Sequence, residues 1–196
     1  GGGGVTGRAA PEGDAGMPVA EVVARLDALR SLDPPPADGR LLAYVYDTGR
    51  PELDELVAQA VRRMQPVNGL DPTTFRSVAV LEREVVAFAR RVFHADDEVV
   101  GTATSGGTES CLLAVKTARD AWRARGGSGR PRLIAPTTVH AAFRKAAALL
   151  DLDLDLVSVD PRTSRVDAGA VASRLGPDVA LVVVSAPPTS TRAGSR

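Results

Sequence analysis

In the first half of the chain, apolar residues recur every three or four positions in three stretches, which predicts three amphipathic helices. These stretches run from Val19 to Leu29, from Leu53 to Met64 and from Val78 to Val92. The proline-rich segment 33–39 ends the first helix. Ser77 precedes the third stretch and is predicted to cap that helix, because a serine side chain accepts hydrogen bonds from first-turn amides.

The pattern changes at residue 99, where short apolar strands begin to alternate with helical stretches. Strands are predicted at 132–136, 152–159 and 179–187, and the last, VALVVVSAP, has the composition of a strand buried on both faces. Helical stretches begin at the glycine-rich turn 101–110, near residue 138 and near Asp167. Long helical segments separate the successive strands, so these strands cannot be joined as β-hairpins. The sequence therefore predicts an α/β fold with a parallel sheet covered by helices.

These patterns predict four segments along the chain. Residues 1–17 are rich in Gly, Ala and Pro and are expected to be disordered. An N-terminal helical segment follows at 18–98, and a partial α/β domain at 99–187. Residues 188–196 match no recognisable element.

Composition narrows the class of protein. Hydrophobic residues make up 44% of the chain, and 24 Lys and Arg residues balance 24 Asp and Glu residues. A chain with no net charge gives no electrostatic reason to expect nucleic acid or an anionic membrane as a partner. The single Cys111 excludes an internal disulfide framework, and no Cys and His spacing predicts a metal site. With neither a transmembrane-length apolar run nor a signal-peptide pattern, we expect a soluble cytoplasmic protein.

The turn GTATSGGTES, residues 101–110, is the first candidate for chemistry. A glycine-rich turn at a helix start directs free backbone N–H groups toward one point, where the helix dipole favours an anion, so a phosphate is the natural guest. Gly106 and Gly107 allow close approach, while Ser105 and Thr108 offer hydroxyl donors. The turn matches neither a P-loop nor a dinucleotide fingerprint. The alternative is a capped helix start that holds no ligand.

The second candidate is His140, which opens a helix directly after a predicted strand end. In open α/β sheets, the carboxyl ends of the strands form the ligand crevice. A histidine at that place can stack on a flat ring or move protons. The alternative is a histidine that only caps its helix.

Three stretches together resemble the PLP-dependent group II decarboxylase superfamily, in its sphingosine-1-phosphate lyase-like branch. They are TSGGTES, the segment VHAAFRKAA about thirty residues later, and PVNGLDPTTFRSVAVLEREVVAFA upstream. The resemblance runs from about residue 40 to residue 187. It implies a fold type I large domain, with a mostly parallel sheet and helices on both faces, that is used as a homodimer.

The resemblance also implies roles for individual residues. The family positions that match Gly106, Gly107 and Thr108, with Ser105 adjacent, bind the phosphate of pyridoxal 5′-phosphate (PLP). The position that matches His140 stacks on the pyridine ring.

Two further positions are matched only over short local segments. The loop that matches Asn68 lies at the active-site mouth in the family, and the tyrosine that matches Tyr46 lies near the substrate. The alternatives are an asparagine that stabilises its own loop and a half-buried structural tyrosine.

The implied function is that of a PLP-dependent carbon–carbon lyase or decarboxylase acting on an amino acid or amine. PLP chemistry needs a lysine that bonds the cofactor and a carboxylate beside the pyridine nitrogen. In the family, both lie after the strand that matches 179–187, and the resemblance ends at Pro188. We therefore expect an N-terminal fragment without that lysine, which a premature stop or a shifted reading frame would explain. An aminotransferase fragment and a non-catalytic phosphate-binding or dimerising remnant remain alternatives.

Overall fold

The computed structural model of the protein describes residues 16–36, 41 and 48–185. The chain divides into two compact units, Gly1–Asp71 and Pro72–Arg196. Tyr46 and the segment 188–196 lie outside the described residues.

The described part of the first unit contains two helices, α1 (Val19–Arg30) and α2 (Pro51–Met64). Pro51 occupies the first helical position of α2, where its missing N–H costs no hydrogen bond. Acidic side chains lie in the first turn of α2 and Arg62 and Arg63 in its last turn, so the charges at both ends oppose the helix dipole. Both helices agree with the apolar periodicity of the sequence.

The second unit contains four helices and three strands in its described residues. They are α3 (Arg76–Val92), α4 (Gly107–Ala124), β1 (Arg132–Pro136), α5 (Ala141–Leu149), β2 (Asp153–Val157), α6 (Ala168–Ala172) and β3 (Val179–Val182). The strands form one sheet in the order β2-β1-β3, and β1 pairs in parallel with both neighbours. The predicted α/β class with a parallel sheet is therefore confirmed.

The core of the second unit is built around the central strand β1. Leu133 and Ile134 are fully buried, because β1 has a neighbouring strand on each side. Leu133 shares one hydrophobic cluster with Val115 of α4 and Ala146 of α5, which are also fully buried. Burial of these side chains attaches both helices to the sheet and fixes the position at which each helix begins.

An ion network links Arg132, the first residue of β1, to Asp155 in the middle of β2 and to Asp178 just before β3. The guanidinium of Arg132 contacts the Asp178 carboxylate at 2.5 Å and the Asp155 carboxylate at 2.8 Å. Its hydrogen bonds to Asp178 raise the pKa of Arg132 and lower that of Asp178. The network lies near the beginning of β1, whereas His140 follows the other end of that strand.

Two local predictions were wrong. Helix α3 begins at Arg76 with Phe75 at the capping position and no side-chain cap, so Ser77 lies inside the first turn and does not cap the helix. Strand β3 is only partly buried, and Val182 is 36% exposed. The reason is that β3 pairs with β1 alone within the described residues, which leaves its other edge without a neighbouring strand.

Candidate cofactor-phosphate site

The glycine-rich turn lies directly at the start of α4. Gly106 is the residue before the helix, and its backbone angles (φ 158°, ψ 178°) fall in a region that essentially only glycine adopts. A Cβ built on Gly106 or Gly107 would meet no protein atom within 4 Å, so the space in front of the turn is open. Gly106 is therefore required for its backbone conformation, and Gly107 leaves room for a ligand to approach.

The start of α4 offers hydrogen-bond donors. The first amides of any helix have no partner within the helix. Within the described residues, neither the N–H groups of Gly107 and Thr108 nor the Thr108 hydroxyl have a hydrogen-bond partner. The dipole of the 18-residue helix α4 adds partial positive charge at the same place. This set of donors fits a phosphate group.

Ser105 is held by a carboxylate from the first turn of α4. Its backbone N–H and its Oγ hydroxyl both donate to Oε2 of Glu109, at 2.7 Å and 2.6 Å. These hydrogen bonds, led by that of the hydroxyl, lower the pKa of Glu109, so the carboxylate is ionised at neutral pH. An anionic side chain thus occupies two of the donors predicted for the phosphate.

The hydroxyl groups of Thr104 and Ser110 form hydrogen bonds within the turn. Thr104 Oγ1 donates to the carbonyl of Gly106 at 3.1 Å and lies 2.7 Å from Ser110 Oγ. Sequence reasoning did not select either residue, and the only signal for them was the number of hydroxyl side chains around the glycines. They restrain the Gly106 carbonyl and so help to orient the amides that follow.

Glu82 of α3 holds the segment that leads into the turn. Its Oε1 atom accepts hydrogen bonds from Thr102 Oγ1 at 2.8 Å and from the backbone N–H of Ala103 at 2.9 Å. The bond from Ala103 is the main reason why the pKa of Glu82 lies below its ordinary value. No sequence pattern indicated this contact, because Glu82 lies twenty residues before Thr102.

We expect Glu82→Leu to weaken binding of a phosphate ligand at the turn about threefold to tenfold, because two donors lose their acceptor and the segment before Gly106 loosens. Glu82→Gln keeps an oxygen acceptor and should retain most of the affinity. Calorimetric titration with pyridoxine 5′-phosphate measures both. The matched control is Glu84→Leu on the same helix, and equal affinity in the Glu82 and Glu84 leucine variants would contradict the positioning role.

His140 lies at the start of α5, four residues after the end of β1. Its Nδ1 atom accepts a hydrogen bond from the backbone N–H of Ala142 at 3.1 Å, so a neutral ring carries its proton on Nε2. The predicted helix start is confirmed. The contact of Nδ1 agrees with the alternative that His140 caps its helix, and this alternative accounts for that one ring nitrogen. The ring is exposed, which leaves its face accessible to a flat ligand.

Ser105, Gly106, Gly107 and Thr108 lie in one turn at the start of α4, and His140 lies at the start of α5. Asn68 lies in the first unit, where its Oδ1 accepts a hydrogen bond from the N–H of Leu70 at 3.0 Å. That contact matches the loop-stabilising alternative.

Comparison with known proteins shows that this chain is similar to several sphingosine-1-phosphate lyases. The chain is 38% identical over 150 residues to the sphingosine-1-phosphate lyase of Drosophila melanogaster, and 38% identical over 175 residues to that of Saccharomyces cerevisiae. These alignments cover 76% and 88% of this chain. The structure of Burkholderia pseudomallei sphingosine-1-phosphate lyase matches 92% of the chain and 42% of its own, with a TM-score of 0.75 and 29% identity. No protein-family model matches the chain.

The chain belongs to the PLP-dependent group II decarboxylase superfamily, in its sphingosine-1-phosphate lyase-like branch. It spans 27% to 30% of the length of the Drosophila and Saccharomyces relatives. A Lactobacillus brevis glutamate decarboxylase, 20% identical, matches 85% of the chain and 39% of its own with a TM-score of 0.66, which shows the shared fold. The fold type I class implied by the sequence is thereby confirmed.

Members of this superfamily use PLP, and the turn supplies the kind of donors that its phosphate needs. The two lysines of the chain lie elsewhere. Lys116 is exposed on α4 and contacts the Asp120 carboxylate at 2.6 Å, and Lys145 is exposed on α5. Neither lies within the glycine-rich turn.

The described residues contain neither a candidate membrane span nor a candidate metal site. No helix there is long and apolar enough to cross a membrane. No group of three or more His, Cys, Asp or Glu side chains there is arranged to hold a metal ion.

Proposed function

We propose that this chain is the part of a PLP-dependent carbon–carbon lyase that holds the phosphate of the cofactor. The observation that carries the proposal is a turn of free donors at the start of α4, in a chain 38% identical to sphingosine-1-phosphate lyases. The substrate class that this supports is a phosphorylated long-chain amine, in keeping with the names of those relatives.

The residues of the turn have distinct roles in this proposal. The amides of Gly107 and Thr108 and the Thr108 hydroxyl donate to phosphate oxygens, and Ser105 lies directly beside them. Gly106 sets the direction of the amides through its backbone conformation. PLP, when bound, supplies a ring that accepts the electron pair of the bond broken at the substrate's α-carbon.

His140 is proposed to stack on the cofactor ring. Its Nδ1 bond to the Ala142 amide restrains rotation of the imidazole, so that the ring face is presented in a fixed direction. Asn68 and Tyr46 are proposed to lie near the substrate, on the resemblance alone.

Amino acid decarboxylase and aminotransferase activities use the same cofactor-phosphate turn and differ in the later bond-breaking and proton steps. The lyase is favoured over both because the relatives of 38% identity are named sphingosine-1-phosphate lyases, whereas the glutamate decarboxylase shares the fold at 20% identity. A non-catalytic phosphate-binding or dimerising remnant also fits the turn. A homodimer and a cytoplasmic location are further parts of the proposal, which sedimentation and cell fractionation test.

The proposed function is tested by comparing ligands that differ only in their phosphate. The chain should bind pyridoxine 5′-phosphate in a calorimetric titration and should not detectably bind pyridoxine. Neither compound has an aldehyde, so covalent reaction with lysines does not obscure the result. Failure to bind the phosphorylated compound, or equal binding of both, would overturn the proposal.

We expect His140→Ala to weaken pyridoxine 5′-phosphate binding about fivefold, which corresponds to the roughly 1 kcal/mol of an aromatic pair. Two variants separate stacking from capping. His140→Phe keeps a ring without the Nδ1 acceptor, and His140→Asn keeps a capping acceptor without a ring. Full affinity in the asparagine variant, together with weak binding in the phenylalanine variant, would assign His140 to capping alone. Urea unfolding of each variant reports the contribution of the cap.

A further inference from the structure

A carboxylate lies where the proposed phosphate needs donors. Oε2 of Glu109 accepts hydrogen bonds from both the N–H and the Oγ hydroxyl of Ser105, whereas the nearby amides of Gly107 and Thr108 have no partner within the described residues. The donors of this turn are thus divided between one internal anion and an open space. The Glu109 side chain is exposed.

We propose that Glu109 is an internal competitor of the cofactor phosphate, which occupies the Ser105 donors in the ligand-free chain and releases them when a phosphate monoester binds. The inference rests on the proposed function, because it concerns the same turn.

The competition follows from the number of donors. Ser105 has one N–H and one O–H, and both now point to a single carboxylate oxygen, so they cannot serve a phosphate at full strength at the same time. Two anions side by side at one helix start also repel each other. The dipole of α4 stabilises whichever anion is present, so it offsets the departure of the carboxylate when a phosphate arrives.

The exchange needs little reorganisation of the protein. The Glu109 side chain lies at the surface, so it can rotate into water without uncovering the core. Gly106 and Gly107 leave open space beside the turn, so the backbone amides need not move. In the ligand-free chain the carboxylate keeps Ser105 directed toward the helix start, at a cost in affinity for the phosphate.

The alternative is that Glu109 only caps the helix. A first-turn glutamate that bonds back to a residue before the helix resembles a capping box, and it stabilises the helix start without any ligand. Capping alone predicts that removal of the charge lowers the stability of the fold and leaves ligand affinity unchanged or lower. Competition predicts that removal of the Glu109 charge raises the affinity for a phosphate ligand.

The test compares the full chain with Glu109→Gln, which keeps the shape of the side chain and removes its charge. Pyridoxine 5′-phosphate and inorganic phosphate are titrated separately by calorimetry. We expect Glu109→Gln to bind each about fivefold to tenfold more tightly than the unsubstituted chain. Asp120→Asn is the matched control, because it removes the same charge about 16 Å further along α4. Its affinity should remain unchanged.

A double substitution shows whether the effect acts through Ser105. In a Ser105→Ala background, Glu109→Gln should give a clearly smaller gain, since the side-chain donor is gone and only the backbone N–H of residue 105 and the charge repulsion remain. Equal gains in both backgrounds, or no gain from Glu109→Gln in a chain that binds phosphate, would overturn the competition and leave the proposed function standing. If neither form binds either ligand, both proposals fail.

Discussion

Gly107→Val should abolish binding of pyridoxine 5′-phosphate to this chain, with a loss of at least a hundredfold in affinity, while α4 remains folded. The hydrogen that valine replaces points into open space, where a Cβ meets no protein atom within 4 Å. The substitution therefore fits the folded chain. Its two γ-methyl groups, however, occupy the approach to the amides of Gly107 and Thr108. A phosphate that cannot reach these donors loses several charge-assisted hydrogen bonds together.

The measurement is a calorimetric titration, with circular dichroism to show that the helix content is unchanged. Ala114→Val, at an exposed position of the same helix, controls for the general effect of a β-branched residue in α4. Unchanged affinity in Gly107→Val would mean that the phosphate binds elsewhere. Backbone strain would not explain a loss of affinity in Gly107→Val, because Gly106 has the positive φ and Gly107 does not.

Most of the fold follows from local patterns in the sequence. The 3.6-residue apolar periodicity predicted α1, α2 and α3, and short apolar runs between helices predicted β1, β2 and β3 in a parallel sheet. These features depend on neighbours along the chain, so one sequence is enough to predict them. The burial of β3 was overestimated, because composition cannot tell how many strands pair with it.

The candidate site was only partly accessible from the sequence. The glycines of the turn and the position of His140 at a helix start follow from local spacing, as the structure shows. The contact between Glu82 and the segment before the turn depends on how α3 packs, which no spacing within the chain reveals. The bond from Ser105 to Glu109 is local, yet the glycines and hydroxyl groups of the turn indicate donors only and do not point to the carboxylate that accepts from them.

We expect neither lysine of this chain to serve as the covalent attachment point for PLP bound at the turn. Lys116 is nine residues beyond Gly107, about 13 Å along the axis of α4, and its ammonium group contacts the Asp120 carboxylate. Lys145 is five residues beyond His140, more than one helical turn, so the two side chains do not share a face of α5. With the phosphate fixed at the turn, neither amine is placed to meet the cofactor aldehyde.

The test is to load the chain with PLP, reduce it with borohydride and map the labelled peptides by mass spectrometry. Labelling should be substoichiometric and spread over Lys116, Lys145 and the terminal amine. In Lys116→Arg and in Lys145→Arg, the total label should fall only by the share that the replaced lysine carried. Product from a phosphorylated amine substrate should not exceed that of free PLP, because the unassisted cofactor lacks the positioned groups on which enzymatic rates depend. A stoichiometric label on one lysine, with product above the free-cofactor control and loss of both in its arginine variant, would show that this chain forms a working centre by itself. The distance of Lys116 from the turn along α4, and the position of Lys145 on a different face of α5 from His140, argue for the opposite result: phosphate binding without turnover.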